Sequence, residues 1–518
     1  MNGALGVLAI NLIGKLLGFL RIQMMAAVLG VSAAADSILL CLQVYSFWDV
    51  VIMSGGFATV LLPRMVDFER RGAGPRRYAF AGKVLYLSLV IAAGFTLAVT
   101  LGAHWIVQVA APGLGGPGQR LFAVFCLAFS PLPILMTILV VLSLANRISG
   151  LHVLFSSNPL VINGFSLLAL WAAHRSGMSA GHTGTAYLTA VTAATAVMAV
   201  VQGHYLPRQS RRRILIAPAR LIRSARSLRA RSLRAPKRLM VSAVPLIGAL
   251  LVQNAIVMIN YGFASRYGGE GAIATLGYAE RLANVLFSVL VSALFVMLEP
   301  KWARELSDSR RSKLPPKIAD DVAGTTIACA PLALVLAFAG GDVARLVYGF
   351  GALGNVQRLD ALGKAAAFFG ASVLPMTLSY CFSRVLVILQ QTRAVIYVNA
   401  TLLCACPLLN YCCARSLGTP GIAASFAGLM VLQSVMYAWL LARQNGLSIA
   451  INATTVRQMT AVTLSIILVL TLGSHAPLHG FARLALLTAL ALGAAAVSSL
   501  VGNVDWASRI LIRVGYHR

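Results

Sequence analysis

Charge is scarce in this chain. Asp, Glu, Lys and Arg make up 11% of the 518 residues, against 59% hydrophobic. Mean hydropathy is +0.82. A water-soluble fold carries about 25% charged residues, so a soluble enzyme is excluded. Acid is scarcer still, with 14 Asp and Glu against 43 Lys and Arg. No GxxxxGK[ST] loop is present, which excludes ATP hydrolysis by a P-loop. Nor is there an enzyme constellation, so no catalytic residue and no cofactor are expected. The eight histidines sit near span ends or in loops. The eight cysteines lie within apolar stretches and read as small hydrophobes. Cys404-x-Cys406 and Cys412-Cys413 lack a nearby His or carboxylate, so no metal site is expected. The first apolar stretch contains Lys15 and Arg21 and is long enough to span, unlike a cleavable signal.

Long apolar runs, by contrast, recur from one end to the other. A single-span receptor is thereby excluded. Only helices and closed barrels satisfy their backbone in lipid, and a barrel would alternate apolar and polar residues. The expected fold is an all-α polytopic membrane protein. About 20 apolar residues cross a bilayer, and fourteen stretches qualify: 4–29, 37–63, 78–103, 121–145, 152–173, 182–204, 239–264, 271–299, 321–344, 361–390, 394–414, 419–442, 456–474 and 483–503.

The connections alternate in charge. With the N-terminus inside, the inner segments hold thirty Lys and Arg and the outer ones seven. Basic residues favour cytoplasmic loops, so both termini are expected inside. The net charge of +29 then belongs to loops facing anionic lipid, and no nucleic-acid partner is expected. The strongest basic segment is 205–238, with twelve basic residues and no acid. Arg220, Arg223, Arg226 and Arg229 step by three. The plain reading is a cytoplasmic linker on anionic headgroups, where each basic group contributes about 1 kcal/mol. A pyrophosphate or a partner protein are alternative ligands for it.

That linker divides the chain into a six-helix lobe (1–204), the linker (205–238), a second six-helix lobe (239–443) and two extra helices with a tail (444–518). The halves echo one another. Leu12-Ile13-Gly14 and Leu246-Ile247-Gly248 open spans 1 and 7. Leu62-Pro63-Arg64 and Glu299-Pro300-Lys301 close spans 2 and 8. Parallel repeats of this kind place a transport site between the halves near mid-membrane.

Ionisable groups at the bilayer centre cost about 2.5–3.5 kcal/mol each, so they face a cavity or a partner. Span 1 carries Lys15 and Arg21. Span 2 begins at Asp36 and carries Asp49 near its middle. Span 8 carries Glu280-Arg281. Span 7 presents Gln253, Asn254 and Asn260. Lys83, Lys364 and Arg384 are expected to snorkel towards the cytoplasmic surface. One reading is a central, water-filled cavity whose cations grip an anionic headgroup, since the planar guanidinium donates two parallel hydrogen bonds to phosphate; the expected substrate-binding residues are then Lys15, Arg21, Asp36, Arg281, Glu280, Asn254 and Asn260. The other is that these charges neutralise one another as structural ion pairs. Asp49 fits a proton or cation site as well as a structural partner. Gly55-Gly56 in span 2 is the expected hinge.

Gly14-Lys15-Leu16-Leu17-Gly18-Phe19-Leu20-Arg21, then Leu29-Gly30 and Ala35-Asp36, resembles the opening of the lipid II flippase family (MurJ/MviN). The resemblance continues through Gly55-Gly56-Phe57, Leu62-Pro63, Asn146-Arg147, Pro159, Asn163 and Tyr278-Ala279-Glu280-Arg281-Leu282. It extends to Gly349-Phe350-Gly351-Ala352-Leu353, Gln391-Thr392-Arg393, and Gly421 with Ser425 and Gly428. It implies the multidrug/oligosaccharidyl-lipid/polysaccharide exporter fold, with two six-helix lobes around a central cavity and two C-terminal helices forming a lipid-facing groove. It implies a flippase of the bacterial inner membrane that moves an undecaprenyl-pyrophosphate-linked oligosaccharide outward for peptidoglycan synthesis, by alternating access. The driving force would be a coupling ion or the membrane potential. Lys15, Arg21, Asp36 and Arg281 would be the cavity charges.

The chain departs from the family where Asp49-Val50 replaces a pair of arginines, Ser54 replaces an acid and Lys15 replaces an arginine. A flippase for another lipid-linked exopolysaccharide or O-antigen unit is therefore a second reading. A cation-coupled drug exporter of the same superfamily is a third. A fourth is a membrane scaffold recruiting cell-wall enzymes through 205–238.

Overall fold

The computed structural model describes residues 2–54, 57–70, 74–212, 214, 234–307, 316–353, 356–389, 391–445, 453–474 and 480–501. Every regular element among them is helical. Among the described residues, each of the fourteen expected stretches is mainly helical. Eleven are long and apolar enough to span, and Thr460–Ser474 and Gly480–Ala496 are shorter apolar helices. The fourteenth, Arg234–Gly268, carries the amide-rich seventh stretch. The chain is a multi-pass, all-helical membrane protein of about 14 spans.

The chain forms two compact units, Met1–Ala274 and Thr275–Arg518. The division falls one span after the basic linker. Of that linker, 213 and 215–233 lie outside the described residues, as does the tail from 502.

The first unit contains α1 (Asn2–Leu29), α2 (Ala33–Asp49), α3 (Phe57–Arg70), α4 (Gly74–Ala110), α5 (Gly116–Phe129), α6 (Leu132–Ile148), α7 (His152–Ser156), α8 (Asn158–Arg175), α9 (Ala180–Tyr205) and α10 (Arg234–Gly268). α10 packs against α2, α3 and α4. The second expected span is not one helix: α2 gives way to a π-helical turn, Val50–Ser54, before α3. π turns are rare and concentrate at functional sites. Gly55 and Gly56, the expected hinge, lie outside the described residues. The fourth span breaks at Ser130–Pro131, because proline lacks the N–H that would continue the ladder.

Helices in lipid associate through packing and interhelical hydrogen bonds, and both are present. Tyr45 Oη donates to the Cys126 carbonyl (2.9 Å) and Trp48 Nε1 to that of Pro133 (3.0 Å). Below them Trp48, Ile52, Leu61, Met65, Leu85 and Val141 form an apolar core. A fully buried polar chain ties α6, α8 and α9. Asn146 Nδ2 donates to Gln202 Oε1 (2.6 Å), Gln202 Nε2 to Asn158 Oδ1 (3.0 Å), and Asn158 Nδ2 to Ser143 Oγ (3.0 Å).

The second unit contains most of α11 (Ala272–Ser307), then α12 (Pro316–Tyr348), α13 (Val356–Ile388), α14 (Thr392–Leu417), α15 (Thr419–Asn445), α16 (Ala453–Ser474) and α17 (Gly480–Val501). α12 kinks at Ala339. It meets α13 along a glycine seam, where a Cβ on Gly340 would lie 2.6 Å from the Gly363 carbonyl oxygen. The two C-terminal helices dock on α12 through Val462, Ile466, Leu470, Leu484 and Leu487 against Ile327 and Leu334. Arg483 Nη1 seals this contact on Asp342 Oδ2 (3.2 Å).

Candidate functional site

In the first unit, Lys15 and Arg21 lie six residues apart on α1. That separates them by about 9 Å along the axis and about 120° around it. Lys15 is exposed and Arg21 half-buried. α1 is fastened to α8 by Asn163 Nδ2, which donates to the Gly14 carbonyl (2.9 Å). The Arg21 guanidinium stands over the Tyr187 ring of α9, 6.0 Å from its centroid. Its Nε is buried and has no hydrogen-bond partner among the described residues. Arg21 makes no ion pair among the described residues.

Asp36 is 0% exposed and engaged with backbone. Its Oδ2 accepts from the Gly271 amide (2.6 Å) and its Oδ1 from the Ala274 amide (2.7 Å). The carboxylate thus satisfies amides at the start of α11, where unmatched N–H groups and the helix dipole favour an anion. The arrangement is reciprocal: Glu270 Oε1 accepts from the Ala33 amide at the start of α2 (3.1 Å). Asp36 is therefore not paired with Arg21, as mutual neutralisation would require. Asp49 ends α2 where the π turn begins, and no hydrogen-bond or ion-pair partner faces it among the described residues.

Asn254 fastens α10 to α2. Its Oδ1 accepts from Ser46 Oγ (2.8 Å) and Gln43 Nε2 (3.2 Å). Asn260, six residues further along the helix, is 4% exposed.

In the second unit, Glu280 is half-buried and accepts from Asn284 Nδ2 (3.0 Å), while its neighbour Arg281 is exposed. Arg384 is engaged within the second unit. Nη1 pairs with Glu299 Oε1 (3.4 Å), Nη2 donates to Tyr380 Oη (2.7 Å), and the guanidinium stacks on that ring at 4.8 Å. Lys364 pairs with Asp360 one turn earlier (2.8 Å). Lys301 Nζ and Trp302 Nε1 both bond Asp321 Oδ2, at 2.7 and 2.9 Å. Among the described residues, no group of three or more His, Cys, Asp or Glu could hold a metal ion.

Sequence reasoning passed over Gln43, Ser46, Tyr187 and Glu270. Glu270 carried a signal, an acid between two glycines just before a helix start. The others carried none, since polar and aromatic residues at these spacings are ordinary.

A sequence model of the family described as "Lipid II flippase MurJ" matches residues 25–491. The chain belongs to this family. It is 24% identical over 364 residues to a probable lipid II flippase MurJ of Rhizobium tropici, covering 69% of this chain. That match spans 64% of the Rhizobium protein, a little under two thirds of its length. It is 22% identical over 439 residues to the lipid II flippase MurJ of Burkholderia cenocepacia, covering 83% of this chain and 82% of that one. The solved structure of a lipid II flippase MurJ in an inward closed conformation superposes with a TM-score of 0.77 at 13% identity. The superposition covers 96% of this chain and 99% of the other, and the fold is shared.

Proposed function

We propose that this member of the family translocates an undecaprenyl-pyrophosphate-linked oligosaccharide, lipid II or one like it, from the cytoplasmic to the outer leaflet of the bacterial inner membrane. The termini are cytoplasmic, as the loop charges require. Two six-span halves do the work by alternating access, and the two C-terminal spans stay docked on α12. One observation carries the reading. Arg21 lies within a membrane span with its Nε buried and unbonded, and the acid at the head of the next helix is committed to backbone amides. A guanidinium kept in a membrane span without a counter-charge among the described residues is suited to a diphosphate arriving as ligand.

In this reading Lys15 and Arg21 of the first unit meet the anionic end of the substrate, and Arg281 is a substrate-binding candidate of the second unit taken by itself. Asp36 and Asn254 hold the helices that present them, and Glu280 with Asn284 sets the local charge beside Arg281. The π turn between α2 and α3, adjacent to Gly55 and Gly56, supplies the flexible point. Asp49 beside it is the coupling-ion or proton candidate. The basic linker 205–238 lies on anionic lipid. With Asp49 where the family has an arginine pair, the site carries less positive charge than usual, which favours a substrate other than lipid II as the second reading.

The test is complementation of a strain depleted of its resident lipid II flippase. Growth with this chain supports lipid II. Failure to grow despite membrane insertion, with rescue of a strain lacking an exopolysaccharide-unit flippase, selects the second reading. Rescue of neither overturns both.

A further inference from the structure

Of the six buried side-chain polar atoms in the first unit that meet no hydrogen-bond partner among the described residues, two belong to one contact. One is Arg21 Nε and the other is Tyr187 Oη. Tyr187 is 0% exposed, and its ring lies beneath the Arg21 guanidinium at 6.0 Å, within the range of cation–π attraction. Buried polar groups are nearly always paired, and each exception calls for an explanation such as an unplaced water or ion.

The fold builds this contact deliberately. A Cβ on Gly184 would lie 2.5 Å from Phe125 Cζ and 2.8 Å from Ile38 Cδ1, so α9 lies directly against α5 and α2 there. Tyr187, three residues on, falls on the same face and is buried for that reason. Phenylalanine would satisfy this packing equally. The hydroxyl adds only an unmet donor. An anionic oxygen accepts from a guanidinium N–H and a phenol O–H together. No protein carboxylate supplies that oxygen, because Arg21 has no ion pair among the described residues and Asp36 is occupied by Gly271 and Ala274.

We infer that Tyr187 is a further binding and positioning residue: its ring face holds the Arg21 guanidinium, and its hydroxyl joins Nε–H in donating to one phosphate oxygen of the substrate. This rests on the flippase reading above. It also accounts for a tyrosine where packing alone would accept phenylalanine.

The experiment uses the full chain in lipid nanodiscs, with farnesyl diphosphate as the probe. Tyr187→Phe should weaken binding about tenfold, the loss of one hydrogen bond to a charged group. It should leave the melting temperature of the ligand-free protein unchanged or raised, because only an unbonded hydroxyl is removed. Arg21→Lys should weaken binding more, and adding Tyr187→Phe in that background should cost little further, since both act on one oxygen. Unchanged affinity in Tyr187→Phe overturns the inference. So does a lowered ligand-free melting temperature, which would place the hydroxyl in a bond within the protein. If the unaltered chain does not bind the diphosphate, the flippase reading fails and takes this with it. If it binds and Tyr187→Phe binds equally, only this inference fails.

Discussion

Replacing Asp36 with asparagine separates a structural role from a substrate role at one atom's cost. The Asp36 carboxylate is fully buried and accepts two short bonds, from the Gly271 amide at 2.6 Å and the Ala274 amide at 2.7 Å. Asparagine keeps the shape but has one acceptor and turns an N–H₂ group towards the other amide. One bond to a charged group is lost, about 1.5–3 kcal/mol. The neutral side chain also forgoes its attraction to the helix N-terminus, about 0.3–1 kcal/mol. The sum is about 2–4 kcal/mol. At about 2–4 °C per kcal/mol, the scale for units of about 150–250 residues and close to that of the 274-residue first unit, melting followed by tryptophan fluorescence in nanodiscs should fall by about 5–15 °C. Flipping by the surviving folded protein should continue. Melting within about 1 °C of the unaltered chain, with transport abolished, would refute the clamp and return Asp36 to the substrate.

Three further outcomes follow from the packing. Gly184→Ala should lower stability by about 1–3 kcal/mol, because its Cβ overpacks Phe125 and Ile38. Gly164→Ala, with nothing within 4 Å, should be neutral or stabilising, and melting of the two variants side by side checks the pair. Asn254→Ala should cost about 1 kcal/mol through lost bonds to Ser46 and Gln43, in line with interhelical hydrogen bonds in membranes. A flipping rate per folded molecule that falls with it would instead mark Asn254 as a substrate contact. Leu487→Ala, at 0% exposure among α12, α16 and α17, should cost about 2–5 kcal/mol. Arg483→Ala should cost about 1 kcal/mol, as suits a partly exposed ion pair. Limited proteolysis of the C-terminal helices should rank the two in that order.

The spans were readable because a helix in lipid must be apolar along its whole length, and because basic residues concentrate in one set of loops. Arg21 was readable for the same reason, as a cation in an apolar run stands out. The partner of Asp36 was not, since Gly271 and Ala274 are more than 230 residues away and offer backbone, which has no sequence signature. The same holds for Asn254: its amide meets Gln43 and Ser46, more than 200 residues away in the first unit. The Tyr380 partner of Arg384 lies one turn earlier on the same helix, within reach of sequence spacing, whereas Glu299 is 85 residues away and only packing brings it there. The π turn at Val50–Ser54 left no trace beyond the glycines that follow it. Tyr187 was invisible because a tyrosine in a membrane helix is unremarkable until its hydroxyl is seen to lack a partner.

The central claim is that Arg21 holds the substrate's diphosphate. Its most direct test is transfer of a fluorescent lipid II across proteoliposomes containing equal amounts of inserted, folded protein, comparing the unaltered chain with Arg21→Ala. The account predicts that transfer falls to the protein-free rate in Arg21→Ala while melting is little changed. Transfer by Arg21→Ala at the unaltered rate would contradict it.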